Sequence, residues 1–334
     1  MNKPSAPIFY DPRWIGRHGI GRFAQEVVAR IPLAEALPIA GPKLSPFDPL
    51  AISLALIAKR QGCYFSPGFN PPLASPIPIC FTIHDLIHLK VPEESSAFRR
   101  LYYAAVVRPA ARRAHCIFTV SEYSKREIAE WADVAEEKIV VASNAVASPF
   151  TSDGPRYQPG QPYFLHVGRR GAHKNIPRLL RAFCQSRSGK QACLLFTGDQ
   201  DDATADCIHQ LGMRHTVLFT GPLSDDALAA MYRGAEALLF PSLYEGFGLP
   251  IIEAMACGTP VITSDATATA EVAGKSNALL INPEDVAALS EAIDMIAYSS
   301  DLRSRLVKTG LARASFFSWD RTSTIIRDTL RSAT

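Results

Sequence analysis

From about residue 160 onward, short apolar runs of β type alternate with stretches whose apolar positions recur at helical spacing. The runs are Tyr163-Phe164-Leu165-His166-Val167, Cys193-Leu194-Leu195-Phe196-Thr197, Thr216-Val217-Leu218-Phe219, Ala237-Leu238-Leu239-Phe240, Pro260-Val261-Ile262-Thr263 and Ala278-Leu279-Leu280-Ile281. Helices are predicted between them near 176–187, 202–211, 225–234, 250–256 and 284–297. This alternation predicts an α/β fold with a doubly wound parallel sheet, whose ligand crevice lies beyond the carboxyl ends of the strands. The first half follows the same grammar less regularly. It has strands at Ile8-Phe9-Tyr10, Ile79-Cys80-Phe81-Thr82-Ile83, Cys116-Ile117-Phe118-Thr119-Val120 and Ile139-Val140-Val141, and helices near 19–31, 97–113 and 122–131. Pro155, Pro159, Gly160 and Pro162 crowd the stretch between the halves, as in a linker, so two domains are expected at 1–155 and 156–316.

Composition supports two packed domains. The chain has 334 residues, 47% of them hydrophobic, enough to bury a sizeable core, and the 20% that are charged form no like-charge block that would signal disorder. The seven cysteines are odd in number, scattered and never spaced Cys-x-x-Cys, which argues against a disulfide framework or a zinc site and fits a reducing cytoplasm. No segment approaches the roughly 20 apolar residues of a spanning helix, and the N-terminus does not read as a signal peptide. The net charge of +3 is too small to suggest nucleic acid. Residues 1–155 hold 17 Lys and Arg against 14 Asp and Glu, whereas 156–334 hold 18 of each, so the surplus is N-terminal. It concentrates at Arg99, Arg100, Arg108, Arg112 and Arg113, beside Phe98, Tyr102 and Tyr103. This run reads either as a solvated helix face or as a surface that settles on an anionic membrane or an anionic acceptor.

Candidate chemistry begins between Phe240 and Gly258. A strand ends at Pro241, a loop with Gly246 and Gly248 follows, and Pro250 opens a short helix closed by Gly258. Such a helix start offers N–H groups and partial positive charge to a phosphate, and the glycines let a ligand approach the backbone. Glu245 and Glu253 flank it. Carboxylates hold hydroxyls rather than phosphates, so the pair implies a ligand with both, such as a nucleotide sugar; a capping Glu245 and a solvated Glu253 are the alternative. In His166-Val167-Gly168-Arg169-Arg170-Gly171-Ala172-His173-Lys174-Asn175, Arg169 and Lys174 suit a pyrophosphate, the first by its fork and the second as a point charge. They equally suit an unpaired surface. His84 and Asp85 close an N-terminal strand. Gly19-Ile20-Gly21-Arg22-Phe23-Ala24 matches a dinucleotide fingerprint, but the strand at 8–10 ends too early for the required turn, which argues against NAD.

The segment Glu245-Gly246-Phe247-Gly248-Leu249-Pro250-Ile251-Ile252-Glu253, continued by Ala254-Met255-Ala256-Cys257-Gly258-Thr259-Pro260-Val261, resembles the signature of family-four retaining glycosyltransferases of the GT-B fold. His84-Asp85-Leu86, Val91-Pro92-Glu93, Val120-Ser121-Glu122 and Ser143-Asn144 extend the likeness toward bacterial polysaccharide mannosyltransferases. The resemblance implies two Rossmann-like domains with an interdomain cleft: an acceptor-binding N-terminal domain, a nucleotide-sugar-binding C-terminal domain, and a last helix, about 317–334, that crosses back and carries Trp319. It places the transferred sugar at Glu245 and His84, with Asp85 positioning, and the ribose at Glu253. The diphosphate falls to Arg169, Lys174 and the start Gly246, Phe247, Gly248 and Leu249, and the base to Leu223 in the turn after Phe219. Gly19 and Gly21, with Arg17, His18 and Arg22 nearby, would close on the donor phosphates. No cofactor is implied beyond a nucleotide-sugar co-substrate, best GDP-mannose, and no metal; Asp201-Asp202 reads as an acidic helix start. The acceptor would be a glycan or lipid-linked saccharide, met in the cytoplasm or at the inner face of the membrane. Two departures, Ala270 before Glu271 where Pro is usual and Ala145 after Asn144 where Gly is usual, weaken inference about the acceptor. A nucleotide-sugar epimerase of the same architecture and a non-catalytic nucleotide-sugar binder are the competing readings.

Overall fold

A computed structural model describes residues 6–16, 19–32 and 34–334 of the chain. It divides into two units, one of Met1–Asn144 with Ser318–Thr334 and one of Ala145–Phe317.

The first unit is a six-stranded parallel sheet of β1 (Ile8–Tyr10), β2 (Ala34–Ala36), β3 (Cys63–Ser66), β4 (Ile79–Thr82), β5 (Cys116–Thr119) and β6 (Ile139–Val141), in the order β2-β1-β3-β4-β5-β6. Its helices are α1 (Gly19–Val28), α2 (Asp48–Leu56), α3 (Ile87–Lys90), α4 (Ala97–Tyr102), α5 (Arg108–Arg113) and α6 (Glu122–Ala132). Sequence periodicity misses β2, β3, α2 and the short α3. Ala34-Glu35-Ala36 is too short and polar to register, and α2 is apolar on all sides, so it has no helical period. The single helix expected over 97–113 is instead α4 and α5 joined by a π-type stretch at Tyr103–Val107. Phe81, Ile83, Ile117, Tyr103, Val107 and Ile128 form one core, and Phe9, Ile52, Leu56, Tyr64 and Ile77 another.

The second unit repeats the plan with β7 (Tyr163–His166), β8 (Cys193–Phe196), β9 (Val217–Phe219), β10 (Leu238–Phe240), β11 (Val261–Ser264) and β12 (Leu279–Ile281), all parallel in the order β12-β11-β10-β7-β8-β9. Its helices are α7 (Ile176–Gln185), α8 (Asp202–Gln210), α9 (Asp225–Gly234), α10 (Leu249–Ala256), α11 (Thr267–Ala273), α12 (Val286–Tyr298) and α13 (Ser300–Ala314). Every strand and helix expected here is present. Strands covered on both faces must be apolar throughout, and Phe164, Leu194, Phe196, Leu239 and Ile262 are buried together with Leu179, Phe183 and Ile293 of the covering helices. Side chains start the helices cleanly: Ser224 caps α9 by accepting from Ala227 N–H at 3.2 Å, and Asp201 caps α8 from Thr204 N–H at 2.9 Å.

The final helix, α14 (Trp319–Ser332), belongs to the first unit. It is held there by Thr322 Oγ1 donating to Ser143 O at 2.6 Å, by the Arg30–Asp320 pair at 2.9 Å, and by Trp319 against Phe23. The chain enters the second unit at Ala145, ahead of the Pro- and Gly-rich stretch, because Arg233 of α9 draws in the segment before it. Its guanidinium donates to Thr151 O at 3.0 Å and Pro155 O at 2.7 Å.

Candidate active site

In the second unit the motif residues sit where β7 and β10 end. Asn175 is the clamp. Held in the left-handed region at φ 62°, it donates from Nδ2 to Pro241 O at 3.1 Å and to Pro283 O at 2.6 Å. Leu243 N–H donates to His173 O at 2.7 Å, and Ser264 Oγ to Ser242 O at 2.6 Å. These bonds lock the loop after β10 to the loop after β7 and bring Lys174 against Glu245, Nζ to Oε1 at 2.6 Å, with side chains 10% and 14% exposed. The Lys174 ammonium also lies 4.5 Å from the centre of the Phe240 ring. The two residues expected to serve diphosphate and sugar separately are therefore ion-paired to each other.

Directly beyond lies the start of α10. Gly248 takes φ +98°, a backbone conformation that favours glycine, so the turn into the helix calls for glycine here. Phe247 is buried against Phe317, ring centres 5.5 Å apart, which fixes the Gly246–Leu249 backbone from behind. Glu253, one turn into α10, is buried rather than solvated. Its Oε2 accepts from Tyr232 Oη at 3.1 Å. Arg169 is exposed, whereas Arg170 is committed elsewhere, to Asp201 at 2.5 Å and Thr197 O at 2.9 Å. Asp201 is thus a cap and an ion-pair partner; burial would raise its carboxyl, but the bonds from Thr204 and Arg170 override it and hold it below its ordinary value.

Beneath this edge His166 is fully buried, with Nδ1–H donating to Leu239 O at 2.8 Å and no partner at Nε2 among the described residues. Burial, assisted by the nearby charges of Lys174 and Arg170, pushes its imidazole down to about 3, so it stays neutral. Leu223 lies apart from these groups, at a cavity of about 690 Å³ lined also by Arg156, Tyr157, Leu218, Phe219 and Met231.

The first unit gathers its candidates around β3 and β4. His84 Nε2–H donates to Pro67 O at 2.9 Å, and the Phe23 ring meets the imidazole edge-on at 4.9 Å. Asp85 Oδ1 accepts from Ile87 N–H at 3.0 Å, which starts α3. Gly19 and Gly21 lie in the first turn of α1, not in a loop, and a Cβ on Gly21 would stand 2.4 Å from Gly16 O; Arg17 and His18 lie outside the described residues. A 3-10 turn at Pro12–Trp14 stands between β1 and α1, so the dinucleotide turn is absent from this segment.

The polar centre of this unit is one that sequence reading missed. Buried Asn70 donates to Asp11 Oδ2 at 2.9 Å and Asp48 Oδ2 at 3.0 Å, and accepts from Trp14 Nε1 at 2.5 Å and Ser66 Oγ at 2.7 Å. Arg13 pairs with both acids, at 2.7 Å from Asp11 and 2.8 Å from Asp48. Its members come from three separated segments, 11–14, 48 and 66–70, so no local spacing announces it. The expected basic run is also dispersed. Arg99 donates to Glu94 O, Arg100 to Ser95 Oγ, Arg112 to Ala132 O and Asp133, and Arg113 to Leu73 O, while the Arg108 Nε is buried.

Residues 10–148 match the family described as Glycosyltransferase Family 4, and residues 151–313 match Glycosyl transferases group 1. Over 257 residues the chain is 31% identical to O-antigen chain mannosyltransferase B of Escherichia coli, covering 73% of this chain and 67% of that one. The chain belongs to the family-four glycosyltransferases. O-antigen chain mannosyltransferase RfbU of Salmonella typhimurium is 33% identical over 229 residues, 67% of this chain and 62% of that one, and the alignment with serotype-specific mannosyltransferase WbdA of E. coli spans only 32% of the latter. Among solved structures, Anabaena Alr3699/HepE in complex with UDP and glucose superposes with TM-score 0.80 at 18% identity, covering 98% of this chain and all of that one. WaaG, a glycosyltransferase involved in lipopolysaccharide biosynthesis, gives 0.74 at 15% identity over 96% and 98%. The fold is accordingly GT-B, two Rossmann-like α/β domains. As a glycosyltransferase the protein moves a sugar from a donor with a leaving group to a saccharide acceptor.

Asn175 and Tyr232 are its positioning residues that sequence reading passed over. Asn175 stood inside a quoted motif, and an Asn just before a helix that begins Ile-Pro was the available signal. Tyr232 gave none, being 21 positions from its partner Glu253.

Proposed function

We propose that this glycosyltransferase moves mannose from GDP-mannose, with retention, onto a lipid-linked saccharide during polysaccharide assembly. The observation that carries the reading is the Lys174–Glu245 pair at 2.6 Å beside the glycine-built start of α10. A diphosphate arriving there competes with Glu245 for the Lys174 ammonium, and Arg169 and the helix start add positive charge where the leaving group becomes more negative. Glu245, released toward the sugar, accepts from its hydroxyls. Glu253, oriented by Tyr232, takes the ribose, and Leu223 lies against the base. We assign acceptor binding to the first unit, Met1–Asn144 with Ser318–Thr334, and donor binding to the second, with His84, Asp85, Gly19 and Gly21 as the first unit's candidate groups. The proton of the attacking hydroxyl passes to the departing phosphate oxygen on the same face. The mannose assignment draws on the O-antigen mannosyltransferase relatives, although Alr3699/HepE was solved with UDP and glucose. The lipid-linked acceptor brings the enzyme to an anionic membrane, to whose attraction Arg99, Arg100, Arg108, Arg112 and Arg113 contribute. No helix among the described residues is long and apolar enough to cross it.

A panel of GDP-, UDP- and dTDP-sugars decides the donor. GDP-mannose should raise the melting temperature most and release GDP only when acceptor is present, with an α-linked product by NMR. A larger shift with a UDP-sugar refutes the donor, and a changed sugar without acceptor refutes transfer in favour of epimerisation.

A further inference from the structure

Four exposed large apolar side chains of the first unit lie on α2 and at its two ends. Ile52 and Leu56 face the core with Phe9, Leu37 and Tyr64. On the other side Phe47, Leu50, Leu54 and Ile57 are 75%, 46%, 58% and 63% exposed. Steps of three, four and three residues put them on one stripe. Leu73, half exposed, joins its start: Leu73 N–H donates to Pro49 O at 3.2 Å. A continuous apolar stripe of this size on a water-soluble surface marks an interaction site.

The charge around it is of one sign. Between Glu35 and Asp85 the sequence holds a single acid, Asp48, which is buried and paired with Arg13. The cations remain at the rim. Arg60 donates to Ile57 O at 2.7 Å at the end of α2, Lys59 lies beside it over the Phe9 ring, and Arg113 donates to Leu73 O at 3.2 Å at the start. We propose that this face of α2 docks on an anionic lipid bilayer, with Phe47, Leu50, Leu54 and Ile57 entering the acyl boundary and Arg60, Lys59 and Arg113 meeting lipid phosphates. Pairing the stripe with a second copy of the chain brings the same cations together with no surface acid to offset them, which favours lipid as the occupant. The inference deepens the membrane reading given above and moves the contact to a helix that no motif marks.

Flotation of the full chain tests it without donor or acceptor, so its failure is separate from failure of transfer. With vesicles of phosphatidylcholine and phosphatidylglycerol the protein should float about tenfold more than with phosphatidylcholine alone. The double variant L54E/I57E, changed at exposed positions and melting as the parent does, should lose that binding by about tenfold, whereas R99Q/R100Q should lose less than about twofold. Absence of binding to the anionic vesicles, or full binding by L54E/I57E, overturns the proposal. So does a dimer, seen by sedimentation, that L54E/I57E abolishes.

Discussion

The carboxyl edges of the two sheets are built alike and used differently. In the second unit the buried polar groups at the edge are the motif residues themselves: Lys174 holds Glu245, and Tyr232 holds Glu253. In the first unit the motif residues bond local backbone, His84 to Pro67 O and Asp85 at the start of α3, while the charged cluster is Asp11, Arg13 and Asp48, gathered around the neutral amide of Asn70. A site of consecutive loop residues is legible as a motif. A site assembled from distant loops is stable without being legible.

The widest separation between the two regions should come from Asp48→Ala. It removes one of the two carboxylates that Arg13 and Asn70 bond, Asp11 being the other, and a buried donor left unsatisfied costs about 1–3 kcal/mol. Thermal unfolding should therefore begin markedly lower, and an unchanged melting temperature breaks the claim that this cluster organises the first unit. Glu245→Gln should do the reverse, preserving the bond to Lys174 and the melting temperature while transfer falls by about 100-fold or more. Parental rates of nucleoside diphosphate release remove Glu245 from the reaction.

Acid sharpens the comparison further. His166 is neutral in the folded unit, with its pKa pushed down from 6.5 to about 3, so the unfolded chain binds a proton that the folded one refuses. Its contribution to stability is fully present above pH 6.5 and is lost as pH falls from there toward 3, at up to about 1.4 kcal/mol per pH unit. Denaturant titrations across that window should show the decline, and His166→Phe should flatten it; an equal slope in the variant refutes His166 as its source. The smallest effect is expected from Tyr232→Phe. Loss of one hydrogen bond, worth about 1 kcal/mol, should raise the donor KM several-fold with little change in kcat. A fall in kcat alone contradicts an orienting role through Glu253.

Much of the second unit is readable because its strands are short apolar runs and its caps, Ser224 and Asp201, lie next to the helices they start. The helices missed there, α11 and α13, carry apolar positions that pack against neighbours without a strong period of their own. The first unit was harder for a related reason. Its α2 is apolar on every side, and its β2 is three residues long at a sheet edge, so neither gives a local pattern. The arginine run illustrates the opposite error, since residues close in sequence spread their side chains to Glu94, Ser95, Ala132 and Leu73.

By itself the sequence determined the alternation of strand and helix, the parallel α/β class and the run from Glu245 to Glu253, because each depends on residues within a few positions of one another. Only the tertiary structure decided that Lys174 and Glu245 form an ion pair, that Glu253 is buried and bonded by Tyr232, and that Asp11 and Asp48 of the first unit converge on Asn70. Those contacts join residues 71, 21 and up to 59 positions apart, and their energy comes from excluding water around groups that the fold alone brings together.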